Sequence, residues 1–292
     1  MSSRREAVVR TIYRFGWWGA SRVPTGVVRW VIARGSALAV RHDGPHVQTL
    51  RRNLAAATGH EPDPELMRAA LASYLRNFYE VLALPGWPPD TVLSRVTTTG
   101  EERLREAFAS TGAVVALPHS ANWDLAGAWA CGTGMPVTTV AERLGDSEFE
   151  DFVSFRERLG MEVLSHRDPG TMAHLMGAVR SGRLVCLVAD RDLGGTGVPV
   201  VWNGHAVTMP GGPAMVARRT GAALIPAVCT FTEQGMHITF GQVVQPRPSR
   251  AGLVAMTQDV ADFFAARIAG RPEDWHMLQP FFAQTREQDQ TP

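Results

Sequence analysis

The sequence predicts an α/β fold: a largely parallel central sheet flanked by helices, preceded by a helical N-terminal layer that faces a membrane. Three observations carry that reading. The 292 residues are 45% hydrophobic and 20% charged, which suits a globular chain with a full-sized core and excludes disordered, collagenous and coiled-coil classes. From about residue 91 onward, short apolar runs alternate with helix-length segments, the pattern of β-α units around a parallel sheet. Ahead of that point the apolar residues recur at helical spacing instead.

Taken in order, residues 1–60 hold ten arginines against Glu6 and Asp43, a charge of +8 in a chain whose net charge is +1. Trp17, Trp18, Val27, Trp30, Val31 and Leu38 are interleaved with those arginines. Arginine recurs too often for a transmembrane span, which needs ~20 apolar residues. Arg10 and Arg14 fall where a signal peptide would carry its apolar core. Two readings fit: a monotopic anchor whose arginines meet an anionic membrane surface, or an amphipathic layer packed on the domain. Nucleic acid is not an expected partner, because no recognition motif accompanies the charge.

Residues 65–84 carry Leu66, Ala70, Leu71, Tyr74, Leu75, Phe78 and Val81 at helical spacing, and Pro85-Gly86-Trp87-Pro88-Pro89 ends that helix. Strands are then predicted over 113–117, 137–140, 161–164, 184–189 and 223–228. Between them lie helices over 101–110, 122–131, 148–160, 169–181 and 212–220. Segments 198–202 and 205–208 around Asn203-Gly204 predict a hairpin with a type I′ turn. A second hairpin is expected over 231–244 and a closing helix over 253–268. No internal repeat or low-complexity linker divides the chain. A single domain over 1–292 is expected, with residues 1–90 as the helical layer and 91–292 as the α/β core.

Ligands of an open parallel sheet sit at the carboxyl ends of its strands. Three polar clusters follow predicted strands there: Pro118-His119-Ser120-Ala121-Asn122-Trp123-Asp124, Glu142-Arg143 and Asp190-Arg191-Asp192. His119 and Asp124 are five positions apart, about 140° on a continuous helix, so they cannot share a helical face. If the helix begins near Asn122, Asp124 falls in its first turn and can point back at the imidazole, leaving Nε2 free to take a proton. The alternative makes Asn122 a helix cap, Asp124 a first-turn residue and His119 an ordinary loop residue. Gly211-Gly212 can offer backbone N–H groups to a phosphate or an oxyanion, or can simply start a helix. Gly194-Gly195-Thr196-Gly197 leads into a strand and is no dinucleotide fingerprint. Cys131, Cys186 and Cys229 show no C-x-x-C spacing, which excludes a thiolate zinc site and a disulfide scaffold. Asp190 and Asp192 could join His119 at a metal, but nothing else supplies ligand spacing, and no metal is expected.

His119-Ser-Ala-Asn-Trp-Asp124 resembles the H-x4-D motif of the glycerolipid and lysophospholipid acyltransferase superfamily. The surroundings look like its lipid A biosynthesis branch over nearly the whole chain. Arg51-Arg-Asn-Leu54, Arg76-Asn77 with Glu80, Asp190-Arg-Asp192, Pro210-Gly-Gly-Pro213 and Arg219-Thr-Gly-Ala222 are similar to blocks of that branch, and Arg271-Pro-Glu273-Asp-Trp275 to its closing P-E-x-W signature. The arginine-only composition, Ala141-Glu-Arg-Leu144 and 155–160 look most like actinobacterial phosphatidylinositol mannoside acyltransferases. His276-Met-Leu-Gln279 departs from the lipid A branch, which argues against lipid A as acceptor.

The resemblance implies transfer of a long acyl chain from acyl-CoA, as substrate rather than cofactor, to a hydroxyl of a membrane glycolipid at the cytoplasmic face. His119 is then the general base and Asp124 its orienter, with direct attack by the hydroxyl and no covalent enzyme intermediate. Glu142 shapes the acceptor pocket and Arg156 holds an anionic group. Arg143, Asp190, Arg191, Asp192, Gly211 and Gly212 complete the expected substrate-facing set. An apolar tunnel for the acyl chain is expected near His119, with Leu125 and Trp129 in its wall. The competing readings are another glycolipid or lysophospholipid acceptor and a non-catalytic lipid-binding protein of the same fold.

Overall fold

A computed structural model describes residues 19–142, 153–192 and 194–282. Helices α1 (Thr25–His42), α2 (Pro45–Thr58) and α3 (Pro64–Ala83) come first. Asp63 caps α3, its carboxylate accepting from Leu66 N at 2.8 Å. The short α4 (Pro89–Ser94) follows the Pro-Gly-Trp-Pro-Pro break. Next come β1 (Val96–Thr99), α5 (Glu101–Ser110), β2 (Ala113–Leu117), α6 (Trp123–Gly132) and β3 (Val137–Ala141). A helical segment over 153–158 leads to β4 (Glu162–Ser165), α7 (Thr171–Arg180) and β5 (Leu184–Val188). The hairpin β6 (Val198–Trp202) and β7 (His205–Met209) precedes α8 (Gly212–Thr220), β8 (Ala223–Phe231), β9 (Met236–Phe240) and α9 (Ser249–Gly270).

The main sheet has seven strands in the order β1-β9-β8-β2-β5-β3-β4. Strands β8, β2, β5, β3 and β4 run parallel, whereas β9 returns antiparallel to β8 and carries β1 parallel to itself. Alternation along each strand splits the core between the two faces. Val114 and Ala116 of β2 join Val185 and Leu187 of β5 under α7, α8 and α9, while Val115, Leu117, Leu184 and Cys186 face α5 and α6. The Asn203-Gly204 turn is left-handed at both residues, φ 48° and 82°, as a type I′ turn requires.

Three expectations need adjustment. The second hairpin does not begin at Phe231; β8 itself runs on to that residue and turns back through 232–235 into β9. Strand β1 was not expected, because Val96-Thr-Thr-Thr99 holds a single apolar residue and gains its order from pairing with β9. Phe78, placed on the buried stripe of α3 by periodicity, is 47% exposed. The predicted helix over 148–160 is described only from residue 153, where it is helical to 158.

The two readings of the N-terminal segment divide by helix. Val47, Leu50, Leu54 and Ala57 of α2 are buried in the core with Met67, Ala70 and Leu71 of α3, so these helices are a packed layer. Helix α1 rests on α3, where Gly35 admits Leu75, but leaves Val27, Trp30, Val31 and Leu38 exposed. Trp17, Trp18, Arg10 and Arg14 lie outside the described residues. Among the described residues no helix is long and apolar enough to cross a membrane.

Candidate active site

Register decides which side chains meet. Leu117 of β2 pairs with Val188 of β5, and His119 and Asp190 each stand two residues beyond that last pair. His119 Nδ1 lies 2.5 Å from Asp190 Oδ1, and its backbone N–H donates to Asp190 Oδ2 at 2.9 Å. Trp275 Nε1 donates to the same Oδ2 at 3.0 Å. Burial opposes ionisation of Asp190, but the facing His119 and these donors outweigh it and hold the carboxyl below its ordinary value. An ionised carboxylate only accepts, so Nδ1 carries the proton and Nε2 is the basic nitrogen.

The loop holding His119 is fastened by the segment after α9. Ala121, left-handed at φ 45°, donates its N–H to Asp274 O at 2.9 Å, and His276 N donates to His119 O at 2.8 Å. Asp274 is itself buried, accepting from Ser73 Oγ at 2.7 Å and from Phe231 N at 2.9 Å. Trp275 stacks on Trp202 of β6 at 5.7 Å, so the small hairpin buttresses the indole that holds Asp190. Asn122 caps α6 by accepting from Leu125 N at 2.9 Å, and its amide donates to Glu80 of α3 at 3.3 Å.

Asp124 does not turn back to His119, which corrects the expected pairing. It sits buried in the first turn of α6 and binds Arg156 through two bonds, Nε to Oδ1 at 2.5 Å and Nη2 to Oδ2 at 3.3 Å. The helix starts at Trp123 and directs the carboxylate toward the 153–158 segment, while Trp123 meets His119 edge-on at 5.3 Å. The H-x4-D spacing therefore yields two adjacent pairs, His119–Asp190 and Asp124–Arg156.

An apolar pocket opens at the Asp124–Arg156 pair, about 630 Å³ of space between atoms with its mouth included. Trp123, Asp124 and Arg156 line it together with Trp129 and Ala130 of α6, Leu117, Cys186 and Val188 of the sheet, Leu104 of α5 and Phe240 of β9. Trp129 is in the wall as expected, but Leu125 is not: it is buried against other residues of that face.

The remaining expected residues separate. Arg191 pairs with Glu142 across the ends of β5 and β3. Arg143 lies outside the described residues. Asp192 closes its own loop, accepting from Gly194 N at 3.2 Å and Gly197 N at 2.8 Å. Gly211 precedes α8 where a Cβ would come within 2.8 Å of Val198 Cγ2, and Gly212 opens the helix near Leu187. Among the described residues no group of three or more His, Cys, Asp or Glu is placed to hold a metal ion.

Other nucleophiles are poorly disposed. The Ser120 hydroxyl is buried and accepts from Cys229 N at 3.3 Å. Burial pushes the Cys229 thiol up to about 12 and raises Cys131 and Cys186 as well, so none is a thiolate near neutrality. Trp275, Asp274 and His276 are the contributors that residue chemistry alone did not single out, and only the P-E-x-W resemblance pointed to that segment.

The profile of the bacterial lipid A biosynthesis acyltransferases matches residues 2–284. A phosphatidylinositol mannoside acyltransferase of Mycolicibacterium smegmatis is 42% identical over 279 residues, covering 92% of this chain and 89% of the relative. Phosphatidylinositol mannoside acyltransferases from two strains of Mycobacterium tuberculosis are each 41% identical over 293 residues, covering 94% and 90%. This extent of agreement, over the same residues that build the His119 site, settles the family: the chain is an acyltransferase of the bacterial lipid A biosynthesis acyltransferase family.

Proposed function

We propose that the protein transfers a long acyl chain from acyl-CoA to a mannose hydroxyl of a phosphatidylinositol mannoside at the cytoplasmic face of the membrane. The observation that carries the reading is the imidazole of His119, oriented by a buried carboxylate and packed on Trp123, which lines an apolar pocket. The named relatives supply the acceptor class.

In the reaction so framed, Nε2 of His119 accepts the proton of the acceptor hydroxyl as its oxygen attacks the thioester carbonyl. The Asp190 carboxylate stabilises the imidazolium that results. The tetrahedral intermediate collapses with cleavage of the C–S bond, and the CoA thiolate takes the proton back from Nε2. Arg156, paired with Asp124 in the pocket wall, holds an anionic group of the substrate or the developing oxyanion in this reading. Glu142 and Arg191 border the same sheet edge on the β3–β5 side. Residues 1–60 bring the enzyme to an anionic membrane surface, α1 presenting apolar side chains and arginines together.

Mass spectrometry of lipids after incubation of the protein with acyl-CoA and the glycolipid tests this directly. An acylated glycolipid is expected from the wild type. His119→Ala should cut the rate ~10²- to 10⁴-fold, with folding checked by circular dichroism because the substitution also takes the imidazole partner from the wholly buried Asp190. Release of free fatty acid without acylated lipid would replace transfer by thioester hydrolysis.

A further inference from the structure

A second cleft adjoins the His119 loop on the side away from Glu142 and Arg191. It is walled by α1, α3, the 84–95 stretch and the β8–β9 turn, and spans about 1390 Å³ with its open mouth. Three arginines line it, Arg29 from α1, Arg76 from α3 and Arg95 from the end of the 84–95 stretch, together with the carboxylates of Glu80 and Glu233. Arg76 is a fixed wall element, donating to the Thr232 and Gly235 carbonyls at 2.7 and 2.9 Å and pairing with Glu80 at 2.8 Å. Arg95 lies over the Trp87 ring at 4.2 Å and donates to Gln234 O at 3.2 Å. Arg29 is exposed, without a partner among the described residues.

Two further features say what the cleft suits. Glu80 lines it and accepts from Asn122, so one side chain separates the cleft from the loop that carries His119. Val23, just ahead of α1, also lines it and leads into the exposed Val27, Trp30 and Val31 of that helix. With that series in lipid, the cleft lies at the level of the headgroups. Guanidinium groups at that depth match a phosphodiester, and the room beyond them matches a polyol.

We infer that this cleft holds the phosphodiester and inositol ring of the acceptor lipid, with Arg29 and Arg95 on the phosphate, and thereby sets the acceptor's sugar against His119. The inference rests on the proposed acceptor class. It is tested on the full chain in detergent by calorimetric titration with glycerophosphoinositol, inorganic phosphate and 3′-phospho-ADP, alongside Arg29→Glu and Arg95→Gln variants and transfer kinetics. Glycerophosphoinositol should bind at least ~10-fold more tightly than inorganic phosphate, and each variant should lose ~10-fold or more of that affinity. The variants should raise KM for the dispersed glycolipid by a similar factor and leave KM for acyl-CoA where it was. Their melting temperatures check folding, Arg29 having no described contact to lose. Unchanged glycerophosphoinositol binding in both variants overturns the inference. So does equal affinity for inorganic phosphate, which marks a simple anion site, and so does loss of 3′-phospho-ADP binding, which gives the cleft to the donor. If the glycolipid is acylated but the variants leave its KM alone, the cleft assignment falls and the transfer stands. If no transfer occurs while glycerophosphoinositol binds and responds to both substitutions, the reaction falls and the headgroup site stands.

Discussion

Arg156 has only 13% of its side chain exposed, and the Asp124 carboxylate meets it with two bonds beside an apolar pocket. Breaking a buried ion pair from one side costs about 3–5 kcal/mol. Asp124→Asn should therefore lower the melting temperature by about 6 °C or more, which differential scanning calorimetry against the wild type measures. His276 carries a separate signature. Burial, reinforced by the neighbouring His119, pushes it down to about 3, so the folded chain keeps it neutral where the unfolded chain protonates it. Its contribution to stability is complete above the ordinary histidine value near 6.5 and is lost as pH falls from there toward about 3. Thermal unfolding between pH 7 and pH 4 should show that decline, and His276→Gln should flatten it.

Elements carry the next set of consequences. Trp30 and Leu38 of α1 are 60% and 67% exposed, so Trp30→Ala with Leu38→Ser should leave the melting temperature unchanged. The same pair should reduce sedimentation with anionic vesicles, since each apolar group withdrawn from lipid forfeits roughly 0.8 kcal/mol per methylene. Binding insensitive to both changes and to salt would assign α1 to a protein partner instead. Helix α6 offers the complementary test from inside. Ala130→Leu adds bulk to a wall of the apolar pocket, and competition between acyl-CoAs of different length should shift toward the shorter donor.

Most elements were legible in the sequence because their cause is local. The hairpin follows from Asn203-Gly204, the break after α3 from its prolines, and β2, β3 and β5 from short apolar runs. Strand β1 was not legible, because three of its four residues are threonine and its order comes from β9, far along the chain. The same limit hid the partner of His119. Spacing offers Asp124 because it is near in sequence, whereas Asp190 is 71 residues away and is brought in only by the adjacency of β2 and β5. Had the strand order been known, the equal two-residue overhang past Leu117 and Val188 would have named the pair.

At the scale of the molecule, one sheet edge collects the chemistry while the two faces divide the supporting work. The α5–α6 face holds the apolar pocket, the opposite face packs α2 and α7 to α9, and the segment after α9 ties the His119 loop to both through Trp275 and Asp274. Across that edge, Glu142 and Arg191 lie on one side of His119 and the arginine cleft on the other. In the proposed reaction, Asp190, remote in sequence and wholly buried, is the residue on which general-base chemistry depends. The decisive measurement is kcat for acyl transfer to the glycolipid by Asp190→Asn, with folding matched to wild type by circular dichroism. An amide in place of the carboxylate can favour the wrong tautomer of His119, so kcat should fall by ~10²-fold or more at neutral pH. A variant that turns over at close to the wild-type rate would contradict the His119–Asp190 pair as the catalytic base.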